Sequence, residues 1–215
     1  MTGRLLEIIS KHHKLTKRDT GGFSSMKVGP MKFTVSSYDA EGFGYVSVME
    51  AKGLFGLMKM DTVIIGPREK DAPLLSYDYI NAMGKQTLIL ELYNCVVNEF
   101  PMPELDRFKE ELKDCEDYVP GSNWYEYLLL PQTLRKKGGR KDAARLSKAA
   151  EEYFEAYLTK SATAPACDVN EKNGKIAEYC EGLLANGGPA VNQFMKQFGP
   201  EKTGEFLRKV LFGTE

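Results

Sequence analysis

Between Met31 and Cys95 the chain reads MKFTVSSYDAEGFGYVSVMEAKGLFGLMKMDTVIIGPREKDAPLLSYDYINAMGKQTLILELYNC. Several strand-like runs follow one another here. Phe33 and Val35 alternate with polar neighbours. Phe43, Tyr45, Val46 and Val48 form a second run, and Leu57, Met58, Met60, Val63, Ile64 and Ile65 a third. Leu74 to Ile80 and Thr87 to Leu92 complete the series. Glu41-Gly42, Gly53, Gly66-Pro67 and Met83-Gly84 supply the turns. Connections this short predict an antiparallel meander, because parallel strands need much longer crossovers.

Outward from the meander the period changes. Leu5, Leu6, Ile8 and Ile9 predict a short N-terminal helix ending near His12, and a loop containing Gly21 and Gly22 follows. Beyond Pro103, Leu105, Phe108 and Leu112 take helical spacing. Trp124 to Leu130 is a compact apolar run of undefined type. Leu146, Ala150, Phe154 and Leu158 share one face of a helix over 143–158, and a further helix is predicted over 170–184. Near the end, Phe194, Phe198, Phe206, Val210 and Leu211 recur at helical spacing. Gly199 suits a helix C-cap there, and Pro200 suits the start of the next helix. A sheet flanked by helices before and after predicts an α+β chain. The expected form is a three-layer α/β/α sandwich with a central antiparallel sheet, residues 1–215 forming one domain. The Ala/Thr/Ser stretch at 161–166 reads as a loop.

Composition narrows the function classes. The chain is 42% hydrophobic and 27% charged, ordinary for a globular protein, and its net charge of −1 predicts no global attraction to nucleic acid or membrane. Cys95, Cys115, Cys167 and Cys180 are dispersed without a CxxC pair, against a zinc site or a protein-borne iron–sulfur cluster, so no metal is expected. Reduced thiols in a cytoplasmic chain are the simplest reading. No apolar run reaches bilayer length, and Glu7 interrupts the apolar part of the start, against a signal peptide.

Two carboxylates and one basic run stand out. Asp78 sits inside an apolar strand between Tyr77 and Tyr79, where aspartate is depleted. An edge or solvent-facing position is the competing reading; in a dry cavity its pKa would rise and it could deliver a proton. Glu50 ends the run GYVSVME, on the same face as Val46 and Val48 by strand alternation, and an exposed strand end is its competing reading. Arg135, Lys136, Lys137, Arg140, Lys141, Arg145 and Lys148 form either a solvated loop entering a helix or a docking patch for an acidic protein. No aromatic residue interleaves with these charges, against nucleic acid.

Three segments carry a resemblance. Pro73-Leu74-Leu75-Ser76-Tyr77-Asp78 is similar to the Pro-Leu-Phe-Gly-x-Asp context of the ferredoxin-dependent bilin reductases. Met49-Glu50-Ala51-Lys52 is similar to a glutamate-bearing strand of the phycocyanobilin-forming member, with the spacing to Pro67 kept. The end, YCEGLLANGGPAVNQFMKQFGPEKTGEFLRKVLFGTE from Tyr179, resembles the family's closing helices, which end in Val-Leu-Phe. The resemblance runs from about Tyr45 onward and fits well at Trp124-Tyr125-Glu126-Tyr127.

It implies an oxidoreductase that reduces an open-chain tetrapyrrole with single electrons from reduced ferredoxin or flavodoxin, with no bound organic cofactor and no metal. Asp78 and Glu50 then fall on catalytic acids that share one cavity under the C-terminal helices. Thr62 stands where one member has a histidine, facing the substrate. Phe55, Leu74 and Met195 are candidates to enclose the rings. The departures are Gly188-Pro189, where many relatives carry an aspartate before the proline, and Gln132 and Ala185, near positions where relatives hold the propionates with basic residues. A reductase of an open-chain chlorophyll catabolite, a non-catalytic tetrapyrrole binder and, more weakly, a nucleic-acid binder using 135–148 remain the alternatives.

Overall fold

A computed structural model of the protein describes residues 1–188 and 190–215, so of the Gly188-Pro189 pair only Gly188 lies within the described residues. The first helix, α1 (Thr2–His12), precedes β1 (Leu15–Lys17), β2 (Ser25–Val28), β3 (Met31–Ala40), β4 (Gly44–Gly53), β5 (Met58–Pro67), β6 (Leu74–Ala82) and β7 (Lys85–Tyr93). Then come α2 (Arg107–Glu111), β8 (Glu116–Asp117), a 3-10 turn at Trp124–Leu128, β9 (Leu134–Gly138), α3 (Ala143–Ser161), α4 (Val169–Asn186) and α5 (Val191–Glu205). A π-helical turn, Phe206–Leu211, closes the chain. The strands make one antiparallel sheet in the order β1-β3-β4-β5-β6-β7-β9-β8, with β2 also on β3.

The expected meander is the centre of this sheet. β4 and β5 pair along their whole length, from Gly44 opposite Pro67 to Gly53 opposite Met58. Successive side chains point to opposite faces, so each central strand serves two cores. On one face Val46, Val48, Val63, Ile65, Leu88 and Leu90 pack with Leu5 and Ile9 of α1 and with Leu146 and Phe154 of α3. On the other, Met49, Ile64 and Leu74 pack with Ile176 and Leu183 of α4, Phe194 of α5 and the terminal Leu207 and Leu211. Helices therefore cover both faces, as a three-layer α+β sandwich requires.

The basic run departs from the loop expected of it. Residues 134–138 form β9, paired with β7 from Gln86 opposite Gly138 to Leu90 opposite Leu134. The acids that neutralise this strand are distant in sequence, so no local alternation announced it. At the chain end, Gly199 interrupts α5 at φ 80°, a left-handed conformation that glycine adopts without strain, and Pro200 opens the helical stretch beyond it.

Candidate functional site

The two faces are filled differently. Beneath α4, α5 and the terminal turn lies a cavity of about 350 Å³, floored by β4 to β7. Larger clefts exist, of about 500 Å³ beside Leu130–Gln132 and about 590 Å³ beside Arg107 and Lys160. Neither combines apolar walls with buried acids, which is what marks a small-molecule site.

Local chemistry explains the enclosure. The Tyr45 hydroxyl donates to the Val210 carbonyl at 2.7 Å and that of Ser47 to the Leu211 carbonyl at 2.8 Å. These bonds fix the terminal turn against β4. At the inner end Tyr93 lies tilted against Tyr179, ring centres 4.3 Å apart, with Tyr125 edge-on to both. Gly182 admits the Trp124 ring against α4: a Cβ there would stand 2.1 Å from it. The Trp124 indole N–H donates to the Gly187 carbonyl at 2.9 Å, locking that wall.

One cross-strand row runs over the floor: Met49 opposite Thr62, Thr62 opposite Asp78, Asp78 opposite Ile89. The Thr62 hydroxyl donates to Asp78 Oδ1 at 2.5 Å. Among the described residues, Oδ2 of Asp78 has no donor. Loss of hydration pushes this carboxyl from 3.8 up to about 6, against the opposing Thr62 hydrogen bond and with help from the charge of Glu91. Asp78 keeps partial accessibility because it lines the cavity. Thr62, the candidate substrate contact, also lines it, with its hydroxyl turned to the acid.

Glu50 does not reach this cavity. Strand parity puts it with Val46 and Val48 on the α1 face, where the Thr2 hydroxyl donates to its carboxylate and Lys52 Nζ lies 3.9 Å away. The neighbouring Asp61 takes the N-terminal ammonium at 3.3 Å. Glu50 thus receives the start of α1, and Met49 occupies the cavity position beside Thr62. The expectation that Glu50 and Asp78 share one cavity is corrected: they lie on opposite faces, because a shift of one residue along a strand exchanges faces.

Glu91 escaped the sequence reading. It is buried, lines the cavity, and lies opposite Ser76, one diagonal step from Asp78. The Tyr93 hydroxyl donates to it at 2.5 Å and the Arg135 guanidinium at 2.7 Å. Arg135 also reaches Glu126 at 3.1 Å. This chain of hydrogen bonds holds Glu91 as a paired carboxylate, while burial pushes the Tyr93, Tyr125 and Tyr179 phenols upward, keeping them protonated donors. The signal was present: Glu91 interrupts the apolar run TLILELY as Asp78 interrupts its own.

Other candidates fall elsewhere. Phe55 is fully exposed at the β4–β5 turn, and Leu74 and Met195 belong to the packed layer around the site. Gln132 donates to Asp106 at 3.0 Å, away from the cavity, and Ala185 is exposed on α4. Of the basic run, Lys136 pairs with Asp117, Lys137 with Glu116, Arg145 with Asp114 and Lys148 with Glu152, as Arg135 does with Glu91. Arg140 and Lys141 are exposed and, among the described residues, have no such partner. His12 contacts Glu155 at 2.8 Å, and His13 stacks on Phe43 at 4.4 Å, both on the α1 side of the sheet. Among the described residues no three His, Cys, Asp or Glu side chains converge as a metal site would need, and no helix is long and apolar enough to cross a membrane.

No family model matches this chain, and no curated protein matches it in sequence. Its fold is similar to that of phytochromobilin synthase from tomato, crystallised in complex with biliverdin. The two share 14% identity at a TM-score of 0.77, over 98% of this chain and 80% of that one. The likeness establishes a common α+β architecture, with a large antiparallel sheet between helical layers.

Proposed function

We propose that the chain binds an open-chain tetrapyrrole of the bilin class between the sheet and the C-terminal helices, and reduces it with single electrons from ferredoxin or flavodoxin. The observation that carries this reading is Asp78: an acid of raised pKa, held by Thr62, facing an apolar cavity of ligand size. The fold it shares with a biliverdin-binding protein supports the choice of ligand. Each two-electron reduction consumes two electrons and two protons. An electron entering the conjugated system raises the basicity of a ring nitrogen or carbonyl. Asp78 then transfers its proton there and is recharged from solvent, and a second electron and proton complete the step. A carboxyl near pKa 6 both gives and regains protons readily near neutrality. Tyr125 and Tyr179 stay neutral and offer hydrogen bonds without competing as acids, while the Tyr93 proton is held by Glu91.

Among the described residues no lysine or arginine lines the cavity. Arg135, opposite Ile89, is held by Glu91 and Glu126, while Lys85 and Lys137, further out on the same face, are the cations that pigment carboxylates would meet at the rim. The same feature favours, as a second reading, an open-chain chlorophyll catabolite with fewer free carboxylates. Arg140 and Lys141 are the cations of the basic run left for an acidic donor. The free thiols fit a cytoplasmic setting. The test is to mix the protein with biliverdin and follow its visible spectrum before and after reduced ferredoxin. A shift on mixing followed by a second change with electrons is expected. A shift without the second change would make the chain a binder, and no shift would remove the bilin reading.

A further inference from the structure

A row of lysines crosses the sheet near its hairpin end. Lys27 lies opposite Lys32, Lys32 opposite Lys52, and Lys52 opposite Lys59, so β2, β3, β4 and β5 each contribute one to the same face. All four are exposed. Adjacent strands stand about 4.8 Å apart, and like charges directly opposite destabilise a sheet. Among the described residues only Lys52 has a carboxylate within 4.0 Å, that of Glu50 at 3.9 Å. Glu50 and Asp61, the acids one row inward, are engaged by Thr2 and the N-terminal ammonium. The net charge of −1 hides this local concentration of positive charge.

Just beyond the row, two hairpin tips expose large apolar side chains. Phe55 is fully exposed, Leu54 is 45%, Leu57 58% and Met83 74% exposed. The tips are joined, with the Met83 amide donating to the Leu57 carbonyl at 2.8 Å. Leu54, Phe55 and Met83 hold φ values of 49°, 53° and 51°, a region these residues occupy only at a cost. Apolar side chains thus sit where glycine or asparagine would fold more easily, and they stay largely exposed there.

We infer that this end of the sheet docks on a bilayer surface carrying anionic lipid. The geometry fits a flat partner with an apolar layer beneath a charged one. Phe55 follows Lys52 by three positions, a reach of at most roughly 10 Å. Insertion of the tips by about 5–10 Å would bring the ammonium groups to headgroup depth. An acidic protein would complement the lysines but gives no reason for apolar tips standing past them. The docking surface lies on the far side of the sheet from the cavity floor, so pigment binding is independent of it.

The test is co-sedimentation with phosphatidylcholine vesicles, with and without phosphatidylserine, at low and high salt. The protein should partition to the anionic vesicles only, and salt should weaken it. Changing Lys27, Lys32, Lys52 and Lys59 to Gln should reduce partitioning about fivefold per lysine. It should also raise the unfolding midpoint, since repulsion is removed, which separates lost docking from misfolding. Phe55→Ser with Leu57→Ser should reduce partitioning at least about tenfold at unchanged stability. Failure to sediment with anionic vesicles at low salt would overturn the inference. Undiminished sedimentation of the tip variant would also overturn it, assigning the lysines to a soluble acidic partner. A dimer abolished by Phe55→Ser would likewise overturn it, assigning the tips to a second copy of the chain.

Discussion

The two faces of the sheet are made from the same central strands, yet one obeys the rules of a packed core and the other breaks them. Towards α1 and α3, Leu90, Val63, Leu75 and Phe154 interlock without exposure. Towards α4 and the terminal turn, the intervening residues are Thr62, Ser76, Asp78 and Glu91 beneath a cavity. Alternation alone divides them. Where local rules are broken and the offending groups still converge, the departure marks a site. A stray acid would face solvent or be paired outright; Glu91 is paired, and one oxygen of Asp78, which lines the cavity, has no donor among the described residues.

Adjacent residues of β7 give the sharpest contrast. Leu90→Ala on the closed face should cost about 3–4 kcal/mol, because nothing can fill the void. Ile89→Ala, one residue away on the cavity face, should cost about 1 kcal/mol, since the space beside it is already empty. Equal losses by denaturant unfolding would mean the cavity is closed in solution. Next in size is Arg135→Ala. It strips Glu91 of its cation and should cost about 2–3 kcal/mol, with Arg135→Lys restoring part of the loss.

The third prediction runs the other way. The folded Asp78 binds its proton more tightly than the unfolded chain does, so it adds stability below pH 4. That contribution is lost as pH rises from 4 through about 6. Asp78→Asn should therefore gain on the wild type across that window and stay ahead above it, by on the order of 2 kcal/mol. An advantage independent of pH would contradict the raised pKa. Smallest is Glu50→Gln, which keeps the hydrogen bond from Thr2 and removes only a half-exposed charge. It should shift stability by about 0.5 kcal/mol and leave turnover unchanged. A large loss of turnover would return Glu50 to the chemistry.

The central meander and its flanking helices were legible because period two and period 3.6 are written in the apolar residues themselves. β9 was not: Arg135, Lys136 and Lys137 leave no apolar alternation, and their partners at Glu91, Asp117 and Glu116 come from other segments. β1 and β2 are too short, and too near Gly21 and Gly22, to read as strands. Asp78 could be singled out as an acid in an apolar strand, and the same test applied to TLILELY would have found Glu91. For Glu50 the parity with Val46 and Val48 was read correctly. What no local pattern states is which face the C-terminal helices leave open, and the motif around Glu50 pointed to the wrong one. The lysine row was equally hidden, since Lys27, Lys32, Lys52 and Lys59 become neighbours only once the register is known.

The most direct test of the account is single-turnover reduction of bound biliverdin by reduced ferredoxin, comparing the wild type with Asp78→Asn. The account predicts that the variant binds pigment with nearly wild-type affinity, accepts the first electron, and accumulates a radical visible by electron paramagnetic resonance. Product formation should slow by about 100-fold or more. Asp78→Asn turning over at the wild-type rate, with no accumulating radical, would contradict it.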